Sequence, residues 1–347
     1  MARDNSDNPD DQRKAKAGGK WRRWLLALLL VAALAVAIFH WGDVRKFAEL
    51  LAGARPEWLA GAFVLQVATY LLLSLEWRQV LDAGDNPRPM AKLFPLTIAK
   101  LFADQVVPTA GVSGNVLLVD RLSALDVPRD NAVAAVILSI IAYYLSYAVC
   151  ALVALAMLWA SGDANWFAVG IVGLFLFAAA AIPATALWLH RQGRRSDFGW
   201  LGRFGPVREL LEMFGEAPAE LLHDRRLIAR MAALNLGVFL ADAATMLLCL
   251  LAVGQPALVE AAFVPFIIAS IAVTLGPIPL GLGSFEAVSV GMMRLLGVPL
   301  EAAISATLLF RGFVLWLPMV AGFFVTRRDL KLSRRSPRPS RHRPPAA

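Results

Sequence analysis

The sequence is poor in the groups on which most soluble chemistry depends. It has two cysteines, Cys150 and Cys249, both inside apolar runs, so no disulfide framework can be built. Its four histidines, His40, His190, His223 and His342, share no ligand spacing, and no metal site is expected. No Gly-x-x-x-x-Gly-Lys-Ser/Thr segment is present, which excludes a phosphate-binding loop for ATP, and no cofactor is expected. The basic residues are not interleaved with stacking aromatics, which argues against nucleic acid as a partner. The carboxylates are scattered, which disfavours a convergent acid–base set and with it an enzyme.

What fills the chain instead is apolar. Of 347 residues, 58% are hydrophobic, and the net charge of +8 gathers in the tails and in one loop. This is the pattern of an all-α polytopic membrane protein with basic cytoplasmic flanks. Residues 1–20 read as a disordered cytoplasmic tail, 21–326 as the transmembrane domain and 327–347 as a second disordered, basic tail. About six spanning helices are expected: Trp24–His40, Trp58–Val80, Asp130–Ala160, Trp166–His190, Ile228–Val253 and Leu300–Thr326. The connector 191–227 carries Val207, Leu210, Leu211 and Phe214 at helical spacing among charges, and predicts an amphipathic cytoplasmic helix.

Two apolar stretches are broken. Gly276-Pro277-Ile278-Pro279-Leu280-Gly281-Leu282-Gly283-Ser284-Phe285-Glu286 interrupts 261–296, and Pro108-Thr109-Ala110-Gly111-Val112-Ser113-Gly114-Asn115 interrupts 93–122. Proline removes a helix donor and glycine opens φ > 0, so neither run makes one continuous helix. Lipid does not tolerate irregular backbone, so each break belongs inside protein or against a wet cavity.

The breaks align without a gap at an offset of 171 residues: Pro108 on Pro279, Ser113 on Ser284, Asn115 on Glu286, and Val127-Pro128 on Val298-Pro299. The halves, about 58–160 and 229–326, therefore read as a duplication. The basic connector 191–227 stays on the inner side only if each broken block is a re-entrant hairpin. The expected architecture is an inverted repeat with two opposed hairpins in the cytoplasmic membrane and both termini cytoplasmic.

Pro279-Leu280-Gly281-Leu282-Gly283-Ser284-Phe285-Glu286 resembles the Pro-x-Gly-x-Gly-x-x-Glu signature of the lysylphosphatidylglycerol synthase transmembrane region family, the flippase-like domain proteins. Pro108, Gly111 and Gly114 resemble that family's first-half motif. Leu280, Phe285 and Asn115 depart from it. The resemblance covers about 22–328 and implies a stand-alone membrane domain without synthase activity.

A carrier of head groups needs a polar site at membrane depth. The start of a helix after a break offers backbone N–H groups to an anion, with Ser113 and Ser284 as caps or hydroxyl donors. Gly281 and Gly283 admit either a ligand or a neighbouring helix. The membrane-depth charges are Lys100, Asp104, Asp242, Glu286 and Arg311. Lys100 and Asp104 are four apart and suited to pair; Arg311 is expected against Asp242 or Glu286, either as a structural ion pair or as a head-group site. Glu76 and Arg78 are expected as interfacial anchors. Two functions follow: translocation of a phospholipid or lipid-linked substrate between leaflets, or a non-transporting subunit that docks a lipid-modifying enzyme.

Overall fold

Helices are the one element in which an apolar chain satisfies its backbone without water, and every regular element among the described residues is helical. The computed structural model describes residues 52–106, 112–162, 166–193, 218–256, 258–276 and 281–333, all within the unit Glu49–Ala347. The expected span Trp24–His40, most of the 191–227 connector, and Pro108, Gly111 and Pro279 lie outside them.

The first half contains α1 (Pro56–Ala83), α2 (Met90–Val106), α3 (Val112–Ser123) and α4 (Arg129–Ala160). After α5 (Trp166–Gly193) and the short α6 (Ala219–His223), the second half contains α7 (Arg225–Ala252), α8 (Val259–Leu275), α9 (Ser284–Leu295) and α10 (Leu300–Arg311). A π turn at Gly312–Trp316 carries α10 into α11 (Leu317–Ser333). Boundaries follow local chemistry. Pro56 opens α1 at a position where its missing N–H costs nothing. Asp224 caps α7 by accepting from the N–H of Arg226 and Leu227, so that helix begins at Arg225 rather than at the first strongly apolar residue, Ile228. The two Val-Pro linkers end immediately before α4 and α10. Residues 327–333, assigned to a tail on composition, continue α11, as the helix propensities of Arg, Lys and Leu favour.

Four described helices are long and apolar enough to cross a membrane: Pro56–Ala83, Arg129–Ala160, Arg225–Ala252 and Leu300–Val325. In α5 the apolar stretch is shorter, Val169–Thr185. Neither arm of a broken block spans. Each first arm has 17 residues and each second arm 12, about 25 and 18 Å against ~30 Å of hydrocarbon. Within each pair the arms pack on one another, α2 on α3 and α8 on α9.

Element lengths recur in order: α1 and α7 both have 28 residues, followed by arms of matching length. The offset is 169 for α1/α7 and α2/α8, and 171 for the starts of α4 and α10. The bounds of the first helices thus lie two residues from the 171 register of the breaks. The connection between the arms has eight residues in the second block (276–283) and five in the first (107–111). Packing crosses between halves: α1 lies along α7, α2 packs on α11 and α8 packs on α4.

The α2–α11 contact depends on Gly322, where an added Cβ would run into Cβ of Phe102. Gly322→Ala is expected to lower stability by about 1–3 kcal/mol through overpacking, while Gly173→Ala, which meets nothing within 4 Å, is expected to leave the melting temperature of the purified protein unchanged. Equal melting of the two variants would show that the α2–α11 contact is loose.

Candidate functional site

At the second tip the chain must turn and start a helix within an apolar run. Gly281 and Gly283 have φ of 61° and 82°, the left-handed region open to glycine. A Cβ at Gly281 would strike the side chain of Val273 on α8, so this glycine serves helix packing. Gly283 is the N-cap of α9. Glu286, one turn into the helix, reaches back and accepts the Gly283 N–H at 2.7 Å through Oε2. Its Oε1 accepts from Nε of Arg311 at 2.8 Å, and the Arg311 guanidinium also lies 5.0 Å over the Phe285 ring. The Arg311 side chain is 9% exposed and that of Glu286 25%, so the pair opens on the acid's side. Ser284 does not cap: it is the first residue of α9, and its buried Oγ has no hydrogen-bond partner among the described residues. A groove of about 280 Å³ adjoins the acid, lined by Glu286, Ala287, Val290, Ile304, Thr307 and Leu308.

The first tip solves the same problem with a different residue. Lys100 Nζ lies 2.9 Å from Asp104 Oδ2, and Asp104 Oδ1 accepts the N–H of Gly114 at 3.0 Å. Gly114 is the third residue of α3, as Glu286 is of α9. A Cβ at Gly114 would collide with the Asp104 carboxylate; glycine there lets the acid in. The alignment of Asn115 with Glu286 thus pointed to the wrong partner: the first tip has its acid, contributed by the opposite arm. Ser113 is the second residue of α3 and not its N-cap. In both tips a carboxylate, clamped by a cation, takes a backbone N–H beside the break. The Gly114 and Gly283 N–H groups are each taken by one of the protein's own acids.

Asp242 stands apart from both tips. Gln66 Nε2 of α1 donates to its Oδ1 at 2.7 Å, with Tyr70 and Tyr143 nearby. Of the two partners expected for Arg311, Glu286 is therefore the one. Glu76 was placed differently by the sequence, and Gln105 went unrecognised. Glu76 does not reach the surface as an interfacial anchor would: it is 2% exposed, whereas Arg78 does sit at the surface, 3.5 Å from Asp82. Gln105 reaches the Val314 carbonyl at 3.5 Å. Pro318, lacking an N–H, cannot serve that carbonyl, and the helix widens there into the π turn. The first arm of one hairpin is thereby fastened to the helix that carries Arg311.

Removing one member of the Glu286–Arg311 pair strands the other in a low-dielectric site. Glu286→Gln and Arg311→Met are each expected to lower stability by about 3–5 kcal/mol, and the double variant to recover part of the sum through a coupling of about 0.5–3 kcal/mol. Chemical or thermal denaturation of the four proteins in detergent reads this cycle; strictly additive losses would mean that the pair is not energetically real.

Residues 24–322 match the family model described as the lysylphosphatidylglycerol synthase TM region. A UPF0104 membrane protein of Methanothermobacter thermautotrophicus is 24% identical over 312 residues, covering 82% of this chain and 88% of its own. The family match runs through most of the chain and through both tips. The chain belongs to the lysylphosphatidylglycerol synthase TM region family.

Proposed function

With that membership as premise, we propose that this chain is a carrier that moves a phospholipid or a lipid-linked head group between the leaflets of the cytoplasmic membrane, and that Arg311 receives the phosphate. The observation that carries this reading is the groove beside Glu286. An apolar trough of about 280 Å³ has Glu286 as the one charged residue of its lining, and this carboxylate, a quarter exposed, is paired with the buried Arg311 behind it. That combination suits an amphiphile, with acyl chain along Val290, Ile304 and Leu308 and anionic head at Arg311. Glu286 holds Arg311 and the Gly283 N–H in the empty state. An arriving phosphate displaces the carboxylate from the guanidinium, and Glu286 restores the pair on release. The unpartnered Ser284 hydroxyl is a further donor for the head group. On this reading Lys100 and Asp104 do the same at the first tip, and the two hairpins dip from opposite faces as inverted repeats. The cross-packing of α2 on α11 and α8 on α4 supports that symmetry.

The test is reconstitution. Purified full-length protein in vesicles of phosphatidylglycerol and phosphatidylethanolamine is expected to speed the exchange of a head-group-fluorescent phosphatidylglycerol between leaflets, read by chemical quenching of the outer leaflet. Glu286→Gln, and Ala287→Trp, which fills the groove, are each expected to slow it at least about tenfold per folded molecule, the equivalent of ~1.4 kcal/mol. Wild-type vesicles that exchange lipid no faster than empty ones would sink the carrier reading and leave that of a docking subunit for a lipid-modifying enzyme. Full activity in Glu286→Gln would remove Glu286 from the mechanism.

A further inference from the structure

Glu76 belongs to neither tip, and neither the family match nor the carrier reading gives it a task. It lies on α1, 2% exposed. Ser139 of α4 and Asn235 of α7 flank its carboxyl group, and Lys100 of α2 is close enough to act on it electrostatically. Even so, Glu76 Oε1 and Ser139 Oγ are buried without a hydrogen-bond partner among the described residues, while Asn235 gives its Nδ2 to the Met231 carbonyl at 3.1 Å. Among the described residues no other charge acts on it closely. Between Asn131 and Ala160 α4 has no charged residue, and neither does the stretch 312–326. On α7 beyond Arg230 the one charge is Asp242, held by Gln66, ten residues and about 15 Å up α1. From α2 come Lys92, exposed at its start, and Lys100 and Asp104, already joined to each other.

A buried carboxylate with an unpaired oxygen is among the costliest arrangements a membrane interior can hold, and a neutral carboxyl with an unpaired carbonyl oxygen is far cheaper. The surroundings of Glu76 thus fit the protonated acid, with its O–H turned to Ser139 or Asn235. Once ionised it requires a cation, and Lys100, a flexible stem with three rotatable donors, is the one supplied by the packed helices. We propose that Glu76 is a proton-binding site inside the membrane whose ionisation draws Lys100 from Asp104 and so loosens the cap on the first hairpin tip. The proton passes between the carboxyl oxygen and water; no other bond breaks, and the positive charge of Lys100 changes partner without leaving the site. The site stands whether or not lipid moves; only its use in driving transport rests on the carrier reading.

Two measurements on full-length protein in phosphatidylglycerol nanodiscs test it. Infrared difference spectra at neutral pH are expected to contain a protonated-carboxyl C=O band that is absent from Glu76→Gln, shifted in Glu76→Asp and retained in Asp242→Asn. A band that survives in Glu76→Gln, or no band in the wild type, overturns the proposal. A single cysteine introduced by Asn115→Cys, with Cys150→Ser and Cys249→Ser, then reports on the tip. Its maleimide labelling, taken relative to a free thiol at each pH to remove the rise in thiolate, is expected to quicken several-fold as pH rises, and this ratio to be flat with pH when Glu76→Gln or Lys100→Met is added. The same pH response in all three proteins overturns the link from Glu76 to the tip. Neither readout depends on lipid movement, so inert vesicles alongside these results would refute the carrier reading alone.

Discussion

A helix that begins at a break inside an apolar bundle exposes N–H groups that apolar side chains cannot satisfy, and the rest of this structure follows from how those groups are served. At each tip one backbone N–H is taken by a carboxylate, Asp104 on Gly114 and Glu286 on Gly283. Each carboxylate then needs a counter-charge, which Lys100 and Arg311 provide. Each of these charges is tolerable at depth only because of the others. The glycines follow as well: Gly114 leaves room for an acid, and Gly283 gives the chain the turn from which α9 starts.

The two tips reach the same electrostatic arrangement from different positions in sequence. In the second the acid and the capped N–H belong to the same turn, and the cation comes from α10. In the first, acid and cation share one face of α2, and the capped N–H lies across the break on α3. The first clamp can form within its hairpin; the second requires α10 to be docked. The Gln105–Val314 bond and the Phe102–Gly322 contact tie the first hairpin to the helix that completes the second. The tips are therefore assembled on a common strut.

Much of the framework was legible in the sequence, because membrane helices are long, apolar and punctuated. Proline and glycine marked both breaks, and the Val-Pro linkers marked the starts of α4 and α10. Lys100 and Asp104 were legible as a pair through their four-residue spacing. Arg311 was narrowed to two partners but not to one, since nothing local separates Asp242 from Glu286. The cap of Asp104 on Gly114 was missed because it crosses the break. Glu76 was placed at the interface by its nearness to Arg78 and a polar connector. The signal that its face turns inward was present: Gln66, Thr69, Tyr70 and Ser74 recur at intervals of three and four along α1, and all are buried. In a lipid-facing helix a stripe of polar residues marks the side that meets protein.

The π turn at Gly312–Trp316 has a consequence for how this chain can vary. One additional residue in a helix rotates everything beyond it by about 100°. Arg311 and Gly322 thus belong to two angular frames, joined by a single surplus residue, and each frame has its own obligation, to Glu286 on one side and to Phe102 on the other. Deletion of one residue from 312–316 would give a regular α-helix of better local geometry in which the two obligations could not be met together. The irregular turn is what lets one helix answer to both hairpins, and the tolerance of this stretch to change in length should be far lower than its apolar, unremarkable composition implies.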